Sequence, residues 1–216
     1  MKIIKEKNNI KTKKELDFYL KADYMMGHGR WSPSFLERVK DFFRPNYIEH
    51  YLVAMRKSCY YSNFPKKSYG GGVKYCYYIR KFRKLGRQLG FSIGNKCFGY
   101  GLVIPHYGTI VVGGDVRCGN YCVLHTCVCI TNEKGKTIGD ALYASSGSKI
   151  NKLIHLGNNV KICSNSVVNK SFACDNIVLG GMPASIKKEK CITWYDGWEA
   201  EKRYFKIEKL KKEMGI

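Results

Sequence analysis

Residues 98–128 read FGYGLVIPHYGTIVVGGDVRCGNYCVLHTCV, and in them Phe98, Ile104, Ile110, Val116, Cys122 and Val128 stand six residues apart. After a four-residue shift, Ile138, Ala144, Ile150, Leu156, Ile162, Val168 and Cys174 continue the beat, and every one of these positions is apolar or small. A period of six is neither the 3.6 of a helix nor the 2 of a lone strand; it is the signature of a short strand and a corner repeated many times. Strands this short cannot bury an apolar face alone, so successive coils must stack and share an inward column. The predicted product is a parallel β-solenoid. Gly and Asn recur between the apolar positions, as in VRCGN (116–120) and LGNN (156–159), and both tolerate the positive φ that tight corners require. The shift in register falls on NEKGKT (132–137), which is predicted to leave the solenoid as an excursion loop. Loops carried on a rigid scaffold are where function concentrates, although a neutral insertion would leave the same trace.

On either side of the repeat the texture is helical. In residues 1–90, KELDFYLKADYMM, SFLERVKDFF and PNYIEHYLVAMRKSCYY carry apolar residues at helical spacing, with Ser32-Pro33 and Pro45 marking helix starts. Gly70-Gly71-Gly72 is expected as a hinge before a further helix, VKYCYYIRKFRKLGRQLG. This basic, aromatic segment caps the solenoid or, less simply, faces nucleic acid. Residues 189–216 hold a C-terminal amphipathic helix with Tyr204, Ile207, Leu210 and Met214 on one face. The expected organisation is a helical region over 1–90, a β-solenoid over 91–188 and a helical extension over 189–216.

The chain of 216 residues is 44% hydrophobic, enough for one good-sized core. Its 38 Lys and Arg against 17 Asp and Glu leave a net charge of +21, which attracts polyanions: nucleic acid, an anionic membrane surface or a phosphorylated ligand. The ten cysteines include several in strand-like text (Cys118, Cys122, Cys127, Cys129) and are read as reduced, mostly buried thiols. Cys127-Val-Cys129 lacks the spacing of zinc or redox motifs, so no metal site is expected. MKIIKEKNNIKTKK is too charged for a signal peptide and no apolar run of membrane-spanning length occurs, so a cytoplasmic location is expected.

GFSIGNKCFGYGLVIPHYGTIVVGG (90–114), the hexads after it, LGNNVKICSNSVVNKSF (156–172) and LGGMPAS (179–185) together resemble the left-handed parallel β-helix acyltransferases. Within them the chain is most similar to the serine acetyltransferase-like branch, which includes bacterial polysaccharide O-acetyltransferases. The resemblance implies a mainly β fold, a left-handed β-helix with an α-helical N-terminal region and a C-terminal helix. It also implies a homotrimer with acetyl-coenzyme A bound between neighbouring solenoids. The histidine of the G-L-x-I-x-H motif, His106, becomes the general base. Chemistry agrees: a hydroxyl is a poor nucleophile at neutral pH, and a neutral imidazole within reach can take its proton as it attacks a thioester. Backbone N–H groups of the glycine-rich corner are candidates for the oxyanion.

By the same resemblance Ser145, Ser146, Ser164, Asn165 and Gly181 line the path of the pantetheine arm. Lys187 and Lys188 are phosphate ligands or simply solvated lysines. Two departures stand out. Serine acetyltransferases carry an acidic residue fifteen positions before the base, where this chain has Phe91, and a histidine in the excursion loop, where NEKGKT has none. His125, about one coil beyond His106, and Glu133, in the loop, are candidate replacements, with a structural role equally open for His125. His28, His50 and His155 are read as structural or surface residues.

The leading expectation is therefore acetyl transfer to a sugar hydroxyl in glycan or polysaccharide biosynthesis, with peripheral contact to an anionic membrane and no specific nucleic acid partner. Serine O-acetylation is the alternative within the family. Outside it stand a carbonic-anhydrase-like metal hydratase, weakened by the absence of an H-x-x-x-x-H pair, and a basic scaffold that binds nucleic acid or membrane.

Overall fold

The structure, a computed structural model, describes residues 8–64, 70–197 and 199–216. Residues 1–7 and 65–69, within the expected helical region, and Trp198, within the expected C-terminal helical stretch, lie outside the described residues.

Among the described residues four helices come first: α1 (Lys13–His28), α2 (Phe35–Phe43), α3 (Tyr47–Tyr61) and α4 (Gly71–Leu89). Thr12 and Ser34 close capping boxes with Glu15 and Glu37, and the Asn46 side chain accepts from the Glu49 N–H. Each satisfies an N–H group that the first helical turn leaves without a partner. The prolines mark the starts only approximately, since the caps fall at Ser34 and Asn46. The glycine hinge is a correction: Gly71 and Gly72 are buried residues of the first turn of α4.

Twelve short strands follow: β1 (Phe91–Ile93), β2 (Ile110–Val112), β3 (Val123–Leu124), β4 (Cys129–Ile130), β5 (Thr137–Ile138), β6 (Tyr143–Ala144), β7 (Lys149–Ile150), β8 (His155–Leu156), β9 (Val160–Ile162), β10 (Val167–Val168), β11 (Ile177–Gly181) and β12 (Ala184–Lys188). They form two five-stranded faces, β1-β2-β4-β7-β10 and β12-β11-β9-β6-β3, and a shorter face of β5 and β8. All neighbours pair in parallel except the closing β11–β12 hairpin. The chain steps from face to face and returns one level on, which makes a three-sided β-helix. Helix α5 (Glu199–Glu213) runs back along its side.

Twelve of the thirteen hexad positions are buried; Cys174 is exposed, and Phe172 and Ile177 fill the last coil instead. The four-residue shift needs a second correction. Leu124 pairs with Ala144 and Ile130 with Ile150, so that coil has 20 residues, whereas Ala144 to Ile162 and Ile150 to Val168 take 18. The loop around 132–136 therefore adds two residues, and the other two reflect a change of column. Each coil has two inward positions per side: Val116, Cys122, Val128, Lys136, Leu142 and Ser148 form one series, and Cys118, Leu124, Ile130, Ile138, Ala144 and Ile150 the other, all buried. The Lys136 ammonium lies within this core and donates to Thr131 O (2.7 Å), Thr131 Oγ1 (2.8 Å) and Ile150 O (3.2 Å), closing the loop over itself. Burial holds its pKa below the usual lysine value.

The corners have a different logic from the one expected of the Gly-Asn pairs. Asn120, Asp140, Asn158 and Asp175 form a ladder in which Asn120 N–H donates to Asp140 Oδ1, Asp140 N–H to Asn158 Oδ1 and Asn158 N–H to Asp175 Oδ1. A Cβ on Gly99, Gly119 or Gly157 would meet the Asn or Asp of the next coil. Glycine is there to make room for the ladder, while the positive φ falls on the residue after the Asn or Asp: Tyr121, Ala141, Asn159 and Asn176. Against this corner pack Phe18, Ala22, Met25 and Met26 of α1 and Ile207 of α5, with Tyr204, Leu210 and Met214 partly buried beside it. Glu208 accepts hydrogen bonds from the Tyr100 and Tyr121 hydroxyls, tying α5 to two coils.

The helices are locked to the first coil by one buried ion pair. Arg56 of α3, wholly buried, donates through Nε and Nη2 to the Asp23 carboxylate of α1 (2.7 and 3.1 Å). Its remaining donors reach Phe98 O (2.7 Å) and Gly99 O (2.6 Å), and Asp23 accepts from the Leu102 N–H (3.0 Å). Phe91, at the position where the resemblance expects an acid, is also part of this junction: it is buried in β1 with its ring 5.2 Å from that of Tyr51. Breaking a buried pair strands a charge. Arg56→Ala is expected to cost about 3–5 kcal/mol in urea denaturation, and the loss should shrink when Asp23→Leu accompanies Arg56→Met. Equal losses for the two variants would show that the pair is not the lock.

Candidate active site

His106 stands on a corner that is longer than its successors. From Val103 to Val111 the chain takes eight residues, whereas from Val123 to Cys129, Tyr143 to Lys149 and Lys161 to Val167 it takes six. The two extra residues push Pro105, His106 and Tyr107 outward, and all three are exposed. The far end of this bulge is anchored twice: Gly108 N–H donates to Leu89 O (2.9 Å) and Ile110 N–H to Gly90 O (3.0 Å), at the end of α4. Those two N–H groups are thereby spent, so the glycine-rich corner does not offer Gly108 as an oxyanion donor.

One coil below, His125 is half-buried with its ring centroid 6.4 Å from that of His106. Its Nε2 lies 2.8 Å from the Tyr143 hydroxyl of the next coil. Burial lowers the His125 pKa below the ordinary value, and the nearby charge of His106 lowers it further. Among the described residues none hydrogen-bonds the His106 imidazole; its polar neighbour is His125. The two rings form an open pair at the surface of one corner, with His125 held by Tyr143.

The same corner descends through the expected coenzyme residues. Thr126 Oγ1 donates to Ser146 Oγ (3.4 Å), Gly147 N–H to Thr126 O (3.0 Å) and Asn165 N–H to Ser146 O (3.0 Å). Ser145 and Ser146 are half-buried, Ser164 and Asn165 exposed, and Gly181 N–H donates to Ser166 Oγ (3.1 Å) at the foot of the column. Lys187 and Lys188 are exposed on β12, and Lys188 shares the outward row of that face with Val178, Lys161 and Tyr143. His106, His125, Ser145, Ser146, Ser164, Asn165 and Gly181 thus lie along one edge of the prism, with cations toward its lower end.

Glu133 is not brought to this edge. It is exposed on the loop between β4 and β5, at a different corner, and no hydrogen bond or ion pair joins its carboxylate to either histidine. The remaining histidines are engaged elsewhere: His155 Nδ1 with Thr137 Oγ1 (2.7 Å), His50 Nε2 with Asp41 Oδ2 (2.7 Å), and His28 Nε2 3.8 Å from Glu49 Oε2. Only five of the ten cysteines are buried; Cys127 is exposed and Cys129 half-buried, which corrects the expectation of mostly buried thiols. Among the described residues no group of three His, Cys, Asp or Glu stands close enough to hold a metal ion.

Sequence reasoning missed Tyr143 and Lys161: the coil after His125 has 20 residues, so Tyr143 is level with Val123 and a regular 18-residue count does not bring out the pairing. It also missed a cavity of about 280 Å³ between α1, α3 and the first coil, walled by Leu20, Leu52, Val53, Leu102, Ile104 and Pro105. Tyr24, His28, Asn46 and Glu49 stand at its polar end, and Pro105 carries it to the base of His106.

In an NMR titration His125 is expected to lose its proton below pH 6.5, and His106→Gln to raise that midpoint, because a protonated neighbour no longer opposes the second charge. A midpoint that stays put or falls would contradict the pairing.

No protein-family model and no curated protein sequence matches the chain. Solved structures do. A serine acetyltransferase from Neisseria gonorrhoeae superposes with a TM-score of 0.54 at 22% identity, over 82% of this chain and 66% of that one. A serine acetyltransferase in complex with CoA gives 0.54 at 17% identity, over 80% and 69%. The Neisseria gonorrhoeae enzyme in complex with serine gives 0.52 at 22%, over 80% and 67%. The chain therefore spans about two thirds of the length of these proteins, and what it shares with them is the fold, a left-handed parallel β-helix.

Proposed function

We propose that the chain is an acetyl-coenzyme A-dependent O-acetyltransferase with His106 as general base. The observation that carries the reading is an edge on which exposed His106 and half-buried His125 stand above a column of Ser and Asn side chains and two lysines, half-buried Lys161 and exposed Lys188. It is supported by the fold shared with serine acetyltransferases, one of them in complex with CoA.

His106 takes the proton of the acceptor hydroxyl as its oxygen attacks the thioester carbonyl. The tetrahedral intermediate collapses, the C–S bond breaks, and the coenzyme A thiolate leaves and recovers the proton from the imidazolium. No covalent enzyme intermediate is needed. His125, held by Tyr143, acts on His106 as a positioning residue. The pantetheine arm runs past Ser145, Ser146, Ser164, Asn165 and Gly181, and Lys187 and Lys188 meet the phosphates by charge-assisted hydrogen bonds. The homotrimer that the resemblance implies would set this edge against a second copy of the chain.

For the acceptor, the solved structure in complex with serine favours a serine hydroxyl over the sugar hydroxyl that the sequence suggested. The observation on the other side is Phe91, buried where the family's acid would stand, together with the apolar cavity reaching Pro105. Phe91 leaves the serine enzymes' acid without a counterpart, and the cavity suits an acceptor bulkier than serine. Release of coenzyme A in the presence of serine, free sugars and nucleotide sugars separates these readings.

His106→Gln is expected to lower kcat by about 10²-fold or more while circular dichroism and sedimentation stay as in the parent. Undiminished turnover would remove His106 from the mechanism. A sedimentation mass three times the 24.8 kDa of the chain is expected; a monomer with full activity would exclude the shared cleft.

A further inference from the structure

Helix α2 has no buried residue. Phe35 is 79% exposed, Leu36 69%, Val39 42%, Phe42 80% and Phe43 79%, and at about 100° per residue they share one arc of roughly 120°. Arg38 and Lys40 flank this arc on either side, both exposed, with Arg44 at its end. The two acids are turned the other way, into the protein: Glu37 pairs with Arg30 (2.9 Å) and Asp41 with His50 (2.7 Å). Trp31 stands just ahead of the helix and Tyr47 just after it, both partly or largely exposed.

The Asn46 N–H, His50 and, from α4, the charge of Lys81 hold the Asp41 carboxyl below its ordinary pKa. Over nineteen residues α4 has no acid, and Arg80, Lys81, Arg83, Lys84 and Arg87 line one groove with Tyr77. The helical region thus carries an apolar arc edged by cations on α2 and a strip of five more cations on α4, on a chain of net charge +21.

We propose that α2 and the basic strip of α4 form a docking surface for an anionic lipid bilayer, with the aromatic arc set among the acyl chains at the headgroup boundary and the cations on the phosphates. This is the pattern of an interfacial helix: a polar face, a narrow apolar face and cations at the border whose stems can reach back to the headgroups. Charge complementarity selects the occupant. A second copy would bring the same cations edge to edge, and a nucleic acid backbone would leave five large apolar side chains in water. An anionic membrane satisfies both halves. No helix among the described residues is long and apolar enough to cross a membrane, so the contact is peripheral. The proposal does not depend on the acetyltransferase reading.

The test is co-sedimentation of the full chain with phosphatidylcholine vesicles, with and without about a third phosphatidylglycerol. The parent should bind the anionic vesicles at least about tenfold more tightly than the neutral ones. Both F35S/F42S/F43S and R83S/K84S/R87S should lose at least about tenfold of that binding; all six side chains are exposed, so folding is kept, which circular dichroism checks. Equal binding to neutral vesicles, no binding, or undiminished binding by either triple variant would overturn the proposal. So would a drop in sedimentation mass in F35S/F42S/F43S without vesicles, which assigns the arc to a second copy, or tighter binding of the parent to a DNA duplex that the same variant loses.

Discussion

Each turn of this solenoid can bury its apolar side chains only against the turns above and below, because its strands are two to five residues long. Everything else follows from that stacking. Two inward positions per side must be filled on every coil, corners must repeat in register, and any residue pointing outward at a corner is joined by its equivalents into a column. The column at one corner is spent on the Gly-Asn/Asp ladder and the helices packed against it. The next carries two histidines, then Ser and Asn side chains, along an open edge. The side chains of the candidate site are thus lined up by the same repeat that holds the core together.

A repeat is also open at its ends, and the first coil is covered by helices rather than by another coil. The junction is secured by Arg56 and Asp23, whose fully paired charges reach carbonyl and N–H groups of Phe98, Gly99 and Leu102 that a further coil would otherwise satisfy. Phe91 belongs to this junction. Its ring packs on Tyr51, which gives a physical reason why no carboxylate occupies that position. The same helices wall the cavity beside Pro105, so the cap and the site share residues. Their outer side, α2 and the basic strip of α4, is left free of the core.

The solenoid and its faces were legible because six-residue spacing admits little else, and twelve of thirteen marked positions are inside. The count failed where it could not tell one inward position from the other. Leu102, Ile104, Ile110 and Val112 are all buried, so two added residues between Val103 and Val111 left the beat unbroken and the longer corner at His106 invisible. The same ambiguity turned a two-residue loop insertion into an apparent shift of four. Lys136 hid for a different reason: a lysine in an inward column reads as a surface residue until its three oxygen partners are seen. His106 and His125 were found from the motif and its coil length, but Tyr143 needed the coil register, and Glu133 was assigned to the site by its loop when the loop belongs to another corner.

The central claim is that one edge of the solenoid, from His106 down through Thr126, Ser146 and Asn165, is a binding groove for coenzyme A with the thioester end uppermost. A crystal structure of the chain with coenzyme A tests it most directly. The pantetheine arm is expected along that edge, with its sulfur beside the His106 imidazole and its phosphates toward Lys187 and Lys188. Coenzyme A bound at another corner, or with its sulfur at the foot of the column, would contradict it.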